Sequence, residues 1–426
     1  MESIRSVVAG GVSSSLRAAA IPVPLVVRSA EGCFIRDVED SELIDVNMGY
    51  GPHIFGYADH EVLGAVADQF TKGHMTGLPH ELDFEAGRLI ADLVPGVEQV
   101  RFANSGTEAV ASTLRLARAT TGRTLVVTFE AHYHGWSETV LRAGKSALAV
   151  AGSTPSDVVP GAPGMVPEAL AHTAQLPWND AEAARRLFAR DGDRIAAVIL
   201  EPVLVNAGVI PPAPGFLELL RELTLDSGAM LVFDEVITGF RVARGGAQER
   251  YGVEPDLTVL SKVMGGGVPV AAFGGRAHAM RMLANNEAYH AGVYAGNHAA
   301  LRAVVATLTK ISSLPELYDE LEAVGGYAED GLREVFATEK RAVHITRVGS
   351  LLSVALLRSP VADPGDLRSL AAAVDPSAHR KLQTLAQKEG LYFHPNPLEP
   401  WFLSTAHTRD VVDKATGALR RALAGL

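Results

Sequence analysis

Between residues 100 and 273 the chain alternates short apolar runs with longer stretches of mixed polarity. Six runs read as strands: residues 100–102, 124–129, 196–200, 230–233, 257–260 and 270–273. Short apolar runs of this kind suit strands buried on both faces. Between several of them lie amphipathic or Ala/Leu/Arg-rich segments, 108–120, 181–190 and 216–227, which predict helices. Strands alternating with helices predict a mostly parallel sheet flanked by helices, an α/β domain. The last section is richer in helix formers, with a strand expected at 351–357, a weaker one at 391–393, and loops at 360–364 and 395–400. Residues 25–46 predict a short strand hairpin around 29–32. The expected organisation is a large domain over 47–298. A smaller α+β domain would be built from both chain ends, 1–46 and 299–426. No internal repeat or low-complexity tract is present.

Composition narrows the class without changing this picture. With 47% hydrophobic and 20% charged residues among 426, the chain is globular rather than disordered. Its net charge of −11 provides no basic field for nucleic acid or an anionic membrane. A single cysteine, Cys33, excludes an internal disulfide framework and a multi-cysteine metal site. No apolar run of about 20 residues is free of charge or proline, so no spanning helix is expected. The apolar stretch 7–27 is interrupted by Arg17, Pro22 and Pro24 and does not read as a secretory signal. A cytoplasmic protein is expected.

Four short constellations carry candidate chemistry. Asn104-Ser105-Gly106-Thr107-Glu108 follows an expected strand and opens an expected helix. Small residues with free N–H groups at a helix N-terminus suit a phosphate, although Ser105 or Thr107 as a simple helix cap is the plainer alternative. Asp234-Glu235 ends an apolar strand, where an open α/β sheet presents its ligands. Asp234 can meet a cationic group there, or instead cap a helix or pair with Arg241. Lys262 closes the run 257–260 and precedes Gly265-Gly266-Gly267. Of the 38 basic residues only eight are lysines, and the other seven lie in polar, loop or helix-like settings. Lys262 is therefore the candidate for a lysine that forms a Schiff base. Finally, His132-Tyr133-His134-Gly135-Trp136 follows the run 124–129. Its two histidines lack further ligands for a metal site, and Tyr133 can stack on a planar cofactor or pack into the core. A phosphate cradle, an aromatic plate, a carboxylate and a lysine at strand ends are what pyridoxal 5'-phosphate requires.

With these motifs the sequence resembles the class III pyridoxal-phosphate-dependent aminotransferases of fold type I, and within them the glutamate-1-semialdehyde 2,1-aminomutase subgroup. The match runs from Gly10-Gly11-Val12 to the final helix and is strongest from Glu201-Pro202-Val203 through residues 234–241 to 261–267. The resemblance implies that Lys262 carries the Schiff base and moves the substrate proton. Asp234 would keep the pyridine nitrogen protonated, with Tyr133 and Val236 on opposite ring faces. Ser105, Gly106 and Thr107 would hold the phosphate, and Asn206 would lie near the phenolic oxygen. It further implies that Arg17, beside Ser14, clamps a substrate carboxylate. Tyr50 would line the substrate pocket and Glu399 would lie near the substrate amino group. A homodimer with shared sites is implied, each site receiving a phosphate contact from its partner. That contact would come from residue 293. The family's usual threonine there is Val293 in this chain, which leaves only its backbone N–H. Tyr50 stands where the aminomutase subgroup has tryptophan, His132 where it has cysteine, and Ser15-Leu16 where it has Pro-Val. These changes favour an aminotransferase acting on separate donor and acceptor, at least one a carboxylate. The aminomutase reaction is the alternative, kept open by residues 141–163, which resemble that subgroup's gate. An inactive scaffold on the same fold is disfavoured by the retained Lys262 and Asp234, and a racemase or decarboxylase on the same cofactor is a minor alternative.

Overall fold

The computed structural model describes residues 2–19, 25–141, 161–360 and 366–426. The N-terminal part contributes β1 (Val27–Glu31), β2 (Phe34–Asp37) and β3 (Glu42–Asp45). The middle contributes β4 (Gln99–Ala103), β5 (Leu125–Phe129), β6 (Thr173–Leu176), β7 (Ile195–Leu200), β8 (Met230–Glu235), β9 (Leu257–Leu260) and β10 (Ala271–Gly275). The C-terminal part contributes β11 (Val343–Val348), β12 (Leu351–Leu356), β13 (Leu391–Tyr392) and β14 (Trp401–Phe402).

The chain divides into two compact units, one of residues 60–206 and 210–318, the other of residues 1–59, 207–209 and 319–426. These limits fall later than the expected 46 and 298, for identifiable reasons. Tyr57 belongs with the strands before it: its N–H donates to Gly32 O at 2.6 Å and its hydroxyl to Asp45 at 2.7 Å. The helix His298–Ser313 buries its apolar face on the helices His60–Thr71 and Glu81–Leu93 of the larger unit.

The larger unit is an α/β fold around a seven-stranded sheet of order β4-β10-β9-β8-β7-β5-β6. All pairs are parallel except those of β10, which runs against β4 and β9. The reversal follows from the link between β9 and β10. That link is only ten residues long and holds no crossover helix, whereas a parallel return needs a dozen residues or more. Every residue of β5, β7, β8, β9 and β10 is buried, which is why they read as unbroken apolar runs. The helix Gly106–Thr121 lays Ala109, Val110, Leu114 and Ala117 on the sheet, in one core with Val126, Ile199, Val232, Val259 and Phe273. Because only β10 is reversed, the C-terminal ends of β4, β5, β7, β8 and β9 share one edge of the sheet.

The smaller unit holds a four-stranded sheet, β1-β2-β3-β13, and a three-stranded one, β11-β12-β14, with helices. The expected hairpin is present, with its turn at Gly32 (φ +57°) and Cys33 between Glu31 and Phe34. Among the described residues no helix is long and apolar enough to cross a membrane. Of the expected gate, residues 142–160 lie outside the described residues, as do 361–364 of the loop expected at 360–364.

Candidate active site

The shared strand edge of the larger unit opens into a cavity of about 280 Å³. Ser105, Gly106 and Thr107 after β4, Tyr133 and His134 after β5, Asn206 after β7, Asp234 and Val236 at the end of β8, and Lys262 after β9 all line it. All the expected cofactor residues except Val293 thus meet at one place.

Ser105 is the N-cap of the helix Gly106–Thr121, its Oγ accepting the N–H of Glu108 at 3.3 Å. The cap and the phosphate readings are compatible, because a serine hydroxyl that accepts one bond keeps a hydrogen to donate. A Cβ on Gly106 would stand 3.2 Å from Val236, and one on Gly135 (φ +91°) would stand 2.4 Å from Thr107 Oγ1. The helix N-terminus and the Gly135 loop therefore close on each other as only glycine permits.

Asp234 and Glu235 point to opposite faces of β8. Asp234 Oδ1 accepts the N–H of Val236 at 3.1 Å, and its Oδ2 accepts His134 Nδ1 at 2.7 Å. Glu235 accepts Thr238 Oγ1 (2.9 Å), the N–H of Ala247 (2.6 Å) and Gln248 Nε2 (3.0 Å), and burial pushes its carboxyl above the usual range. It is Glu235, not Asp234, that serves the start of a helix, Gly246–Tyr251.

Glu201 is a residue that the motifs alone did not single out as part of the site. It is buried, accepts the N–H of Tyr133 at 2.8 Å on one oxygen, and accepts those of Val205 (3.1 Å) and Asn206 (3.2 Å) on the other. It thereby ties the loop after β5 to the loop after β7. Burial raises its carboxyl, opposed by His134 and by these hydrogen bonds. His132 accepts the N–H of Glu201 at Nδ1 (2.9 Å) and packs on Trp178, ring centroids 4.7 Å apart. Burial, with His134 beside it, holds His132 well below the usual imidazole range, so it stays neutral. The histidines thus divide into a packed one and one bonded to Asp234. His134 was not recognisable as a site residue because its partner is 100 positions away. Tyr133 is half-buried, its hydroxyl raised by burial and then by Asp234. Lys262 takes φ +44°, unusual for a residue with a side chain, and Ser261 Oγ beside it donates to Val270 O at 2.7 Å.

Val293 is not among the lining residues and is 76% exposed, in a segment with exposed Tyr289 and Tyr294. In the smaller unit, Ser14 Oγ accepts the N–H of Arg17 at 3.3 Å at the start of the short helix Ser15–Ala19. The Tyr50 hydroxyl donates to Leu16 O at 3.4 Å. Burial, then the Glu399 carboxylate, push that phenol up to about 12, while the Arg17 guanidinium pulls it down. Tyr50, Arg17 and Glu399 therefore lie within one electrostatic neighbourhood.

The larger unit's cavity has the donor set for pyridoxal phosphate. It combines a glycine-lined helix N-terminus, a carboxylate fixed by a histidine, a lysine, and a planar side chain beside a branched one.

Comparison with known proteins agrees with this geometry. The model of the aminotransferase class-III family matches residues 16–419. A glutamate-1-semialdehyde 2,1-aminomutase of Thermomicrobium roseum is 41% identical over 418 residues, covering 97% of this chain and 95% of that protein. The enzyme of the same name from Desulforudis audaxviator is 43% identical, with 97% and 94% covered. Among solved structures, an omega-transaminase of Sphaerobacter thermophilus superposes with a TM-score of 0.89 at 30% identity, over 99% of this chain and 96% of that one. A transaminase of the same fold is solved with pyridoxal phosphate bound.

Proposed function

The chain belongs to the aminotransferase class-III family, with the fold and cofactor of pyridoxal-phosphate enzymes, and from that premise we propose that it moves an amino group within one carboxylate-bearing amino aldehyde, as a 2,1-aminomutase. The observation that carries the chemistry is the meeting of Lys262 with Asp234, itself held by His134, in one cavity. The intramolecular form is supported by curated relatives of about 40% identity over nearly the whole chain.

When bound, pyridoxal phosphate supplies a carbonyl carbon that can carry an amino group and an electron-withdrawing ring. In the proposed mechanism Lys262 anchors the cofactor and then moves the proton at the substrate carbon. Asp234, oriented by its bond to His134, would hold the proton on the pyridine nitrogen. Tyr133 and Val236, which line the same cavity, would restrain the ring. Ser105, Gly106 and Thr107 hold the phosphate with N–H groups and hydroxyls at the helix N-terminus. Asn206, placed by Glu201, serves the phenolic oxygen. In the smaller unit Arg17, with Ser14 shaping its turn, takes the substrate carboxylate as a bidentate partner. Tyr50 and Glu399 act near the substrate amino group. The protein works as a cytoplasmic homodimer in this reading, and Val293 offers its backbone N–H to the partner's phosphate.

Transfer between two separate substrates, the first expectation from sequence, now stands second. Tyr50 and Ser15-Leu16, where the aminomutase subgroup carries tryptophan and Pro-Val, favour it. The test offers glutamate 1-semialdehyde as sole substrate to protein loaded with the pyridoxamine form. Turnover to the isomer with its amino group on carbon 1, without any second amine, is expected. Turnover that starts only when a separate amino donor is added would select the two-substrate reading.

A further inference from the structure

Asp45, at the end of β3, is a buried carboxylate with three donors that no step above uses. Its Oδ1 accepts the N–H groups of Asn47 (2.7 Å) and Met48 (3.1 Å), and its Oδ2 accepts the Tyr57 hydroxyl (2.7 Å). Its backbone is fixed too. Its N–H donates to Cys33 O at 2.8 Å, and its carbonyl lies 3.2 Å from His407 Nε2.

What Asp45 holds is the turn that follows it. Met48, Gly49, Tyr50 and Gly51 take φ values of +49°, +62°, +67° and +101°. For the two residues with side chains this conformation is strained, so surrounding contacts must impose it. Asp45 takes the first two N–H groups of the turn. Asn47 Oδ1 accepts the N–H of Tyr50 at 3.0 Å, and the Phe402 ring closes on Gly51, leaving only 2.5 Å for a Cβ. The outcome is the placement of Tyr50 beside Leu16 and in the field of Arg17 and Glu399.

We propose that Asp45 is a positioning residue for substrate recognition, an ionised clamp that fixes the 47–51 turn and so holds Tyr50 in register with Arg17 and Glu399. This rests on the reading that Arg17 takes the substrate carboxylate. An ionised carboxylate accepts all three bonds, whereas a protonated one carries its hydrogen either against the two N–H groups or towards a Tyr57 hydroxyl that then accepts instead of donating. Burial pushes the Asp45 carboxyl up to about 6 against the hydrogen bonds of Tyr57, Asn47 and Met48. Four titratable side chains face it: Tyr57, Tyr392 on β13, Tyr50 on the turn, and Cys33 on the β1–β2 turn. All four are raised above their usual values and stay neutral at pH 6. The His407 ring faces its carbonyl. The clamp is therefore present above about pH 6 and is released as pH falls below it.

The experiment uses the cofactor-loaded protein and butanesulfonate, an anion whose charge does not change with pH. Its dissociation constant is measured from pH 5 to 8 by calorimetry in wild type, Asp45→Asn, Tyr57→Phe and Arg17→Gln, with KM and kcat for the amino substrate alongside. Asp45→Asn is expected to weaken binding about tenfold at pH 8 and raise KM more than it lowers kcat. It should also flatten the weakening that wild type shows below pH 6, and leave the near-visible cofactor band unchanged. Tyr57→Phe removes one bond to the carboxylate and should move the onset of that weakening to higher pH, which keeps the proposal testable if Asp45→Asn does not fold. Wild-type affinity and pH dependence in Asp45→Asn, with Arg17→Gln impaired, would overturn the clamp. Unimpaired binding in Arg17→Gln would instead overturn the carboxylate reading, and the clamp with it.

Discussion

At Asp234 and Glu235 two adjacent carboxylates part company, because successive side chains of a strand face opposite ways. One enters the cavity against His134, and the other is consumed by N–H groups and side chains of the helix Gly246–Tyr251. Asp234→Asn is expected to lower kcat by about 10²–10⁴-fold, the range of a lost acid–base partner, with the fold intact by circular dichroism. Glu235→Gln is expected to lower the melting temperature while preserving the spectrum of the bound cofactor. Lys262→Ala should abolish the near-visible absorption band of the cofactor-loaded protein, and an unchanged band would sink the assignment of Lys262. At His379 the relevant effect is on stability. Burial holds this imidazole down to about 4, with the bond to His394 O opposing. Unfolded histidine takes its proton near 6.5, so between 4 and 6.5 the unfolded chain binds more protons. Stability contributed here is present above about 6.5 and is lost as pH falls towards 4. The raised carboxyls of Asp45, Glu201 and Glu235 act in the opposite direction. The check is therefore the difference between wild type and His379→Gln in melting temperature against pH, which should narrow as pH falls.

At the scale of elements, what the sequence made legible was what a buried strand must be. β5, β7, β8 and β9 were expected within two residues of where they lie, because burial on both faces forces unbroken apolar runs. β6, Thr-Ala-Gln-Leu, was not recognised. It is a short edge strand, buried at its two ends and partly buried between them, that exists through its pairing with β5. β11 and β14 escaped for similar reasons, one partly exposed and one only two residues long. The helix Gly106–Thr121 joins the two kinds of reading, since its N-terminus is both a cap and part of the cavity. Ser105→Gly should separate them. Glycine is nearly as good a cap, so stability should fall by only a few tenths of a kcal/mol while cofactor affinity drops measurably in a titration. Gly135→Ala should do more, because its Cβ would collide with Thr107 in a backbone that disfavours side chains. A cost of roughly 1–3 kcal/mol and weaker cofactor binding are expected.

For the whole molecule, the proposed homodimer has a visible candidate surface on the larger unit. Leu78, Phe84, Tyr289, Val293 and Tyr294 are large apolar or aromatic side chains exposed to more than half their area. Phe84 and Gly292 line one cavity of about 740 Å³, so the two segments are neighbours. Isolated surfaces rarely expose so many large side chains without a partner. Sedimentation is expected to show a dimer, and Phe84→Glu with Tyr294→Glu to shift it to monomer with loss of cofactor. A wild-type monomer with full activity would reject the shared site. The sequence by itself determined the class of fold and the cofactor, and it named most of the residues that the structure gathers around one cavity, Val293 apart. Apolar runs, strand-end glycines and one lysine among apolar neighbours are local consequences of burial, readable without a partner. Only the tertiary structure decided that Glu235 turns away to serve the helix Gly246–Tyr251, that His134 rather than His132 holds Asp234, and that Tyr57 completes the set of bonds on the carboxylate before the turn carrying Tyr50. Each of those depends on a bond to a residue well away in the chain or on the direction of a side chain, which the pattern of apolar and polar positions does not encode.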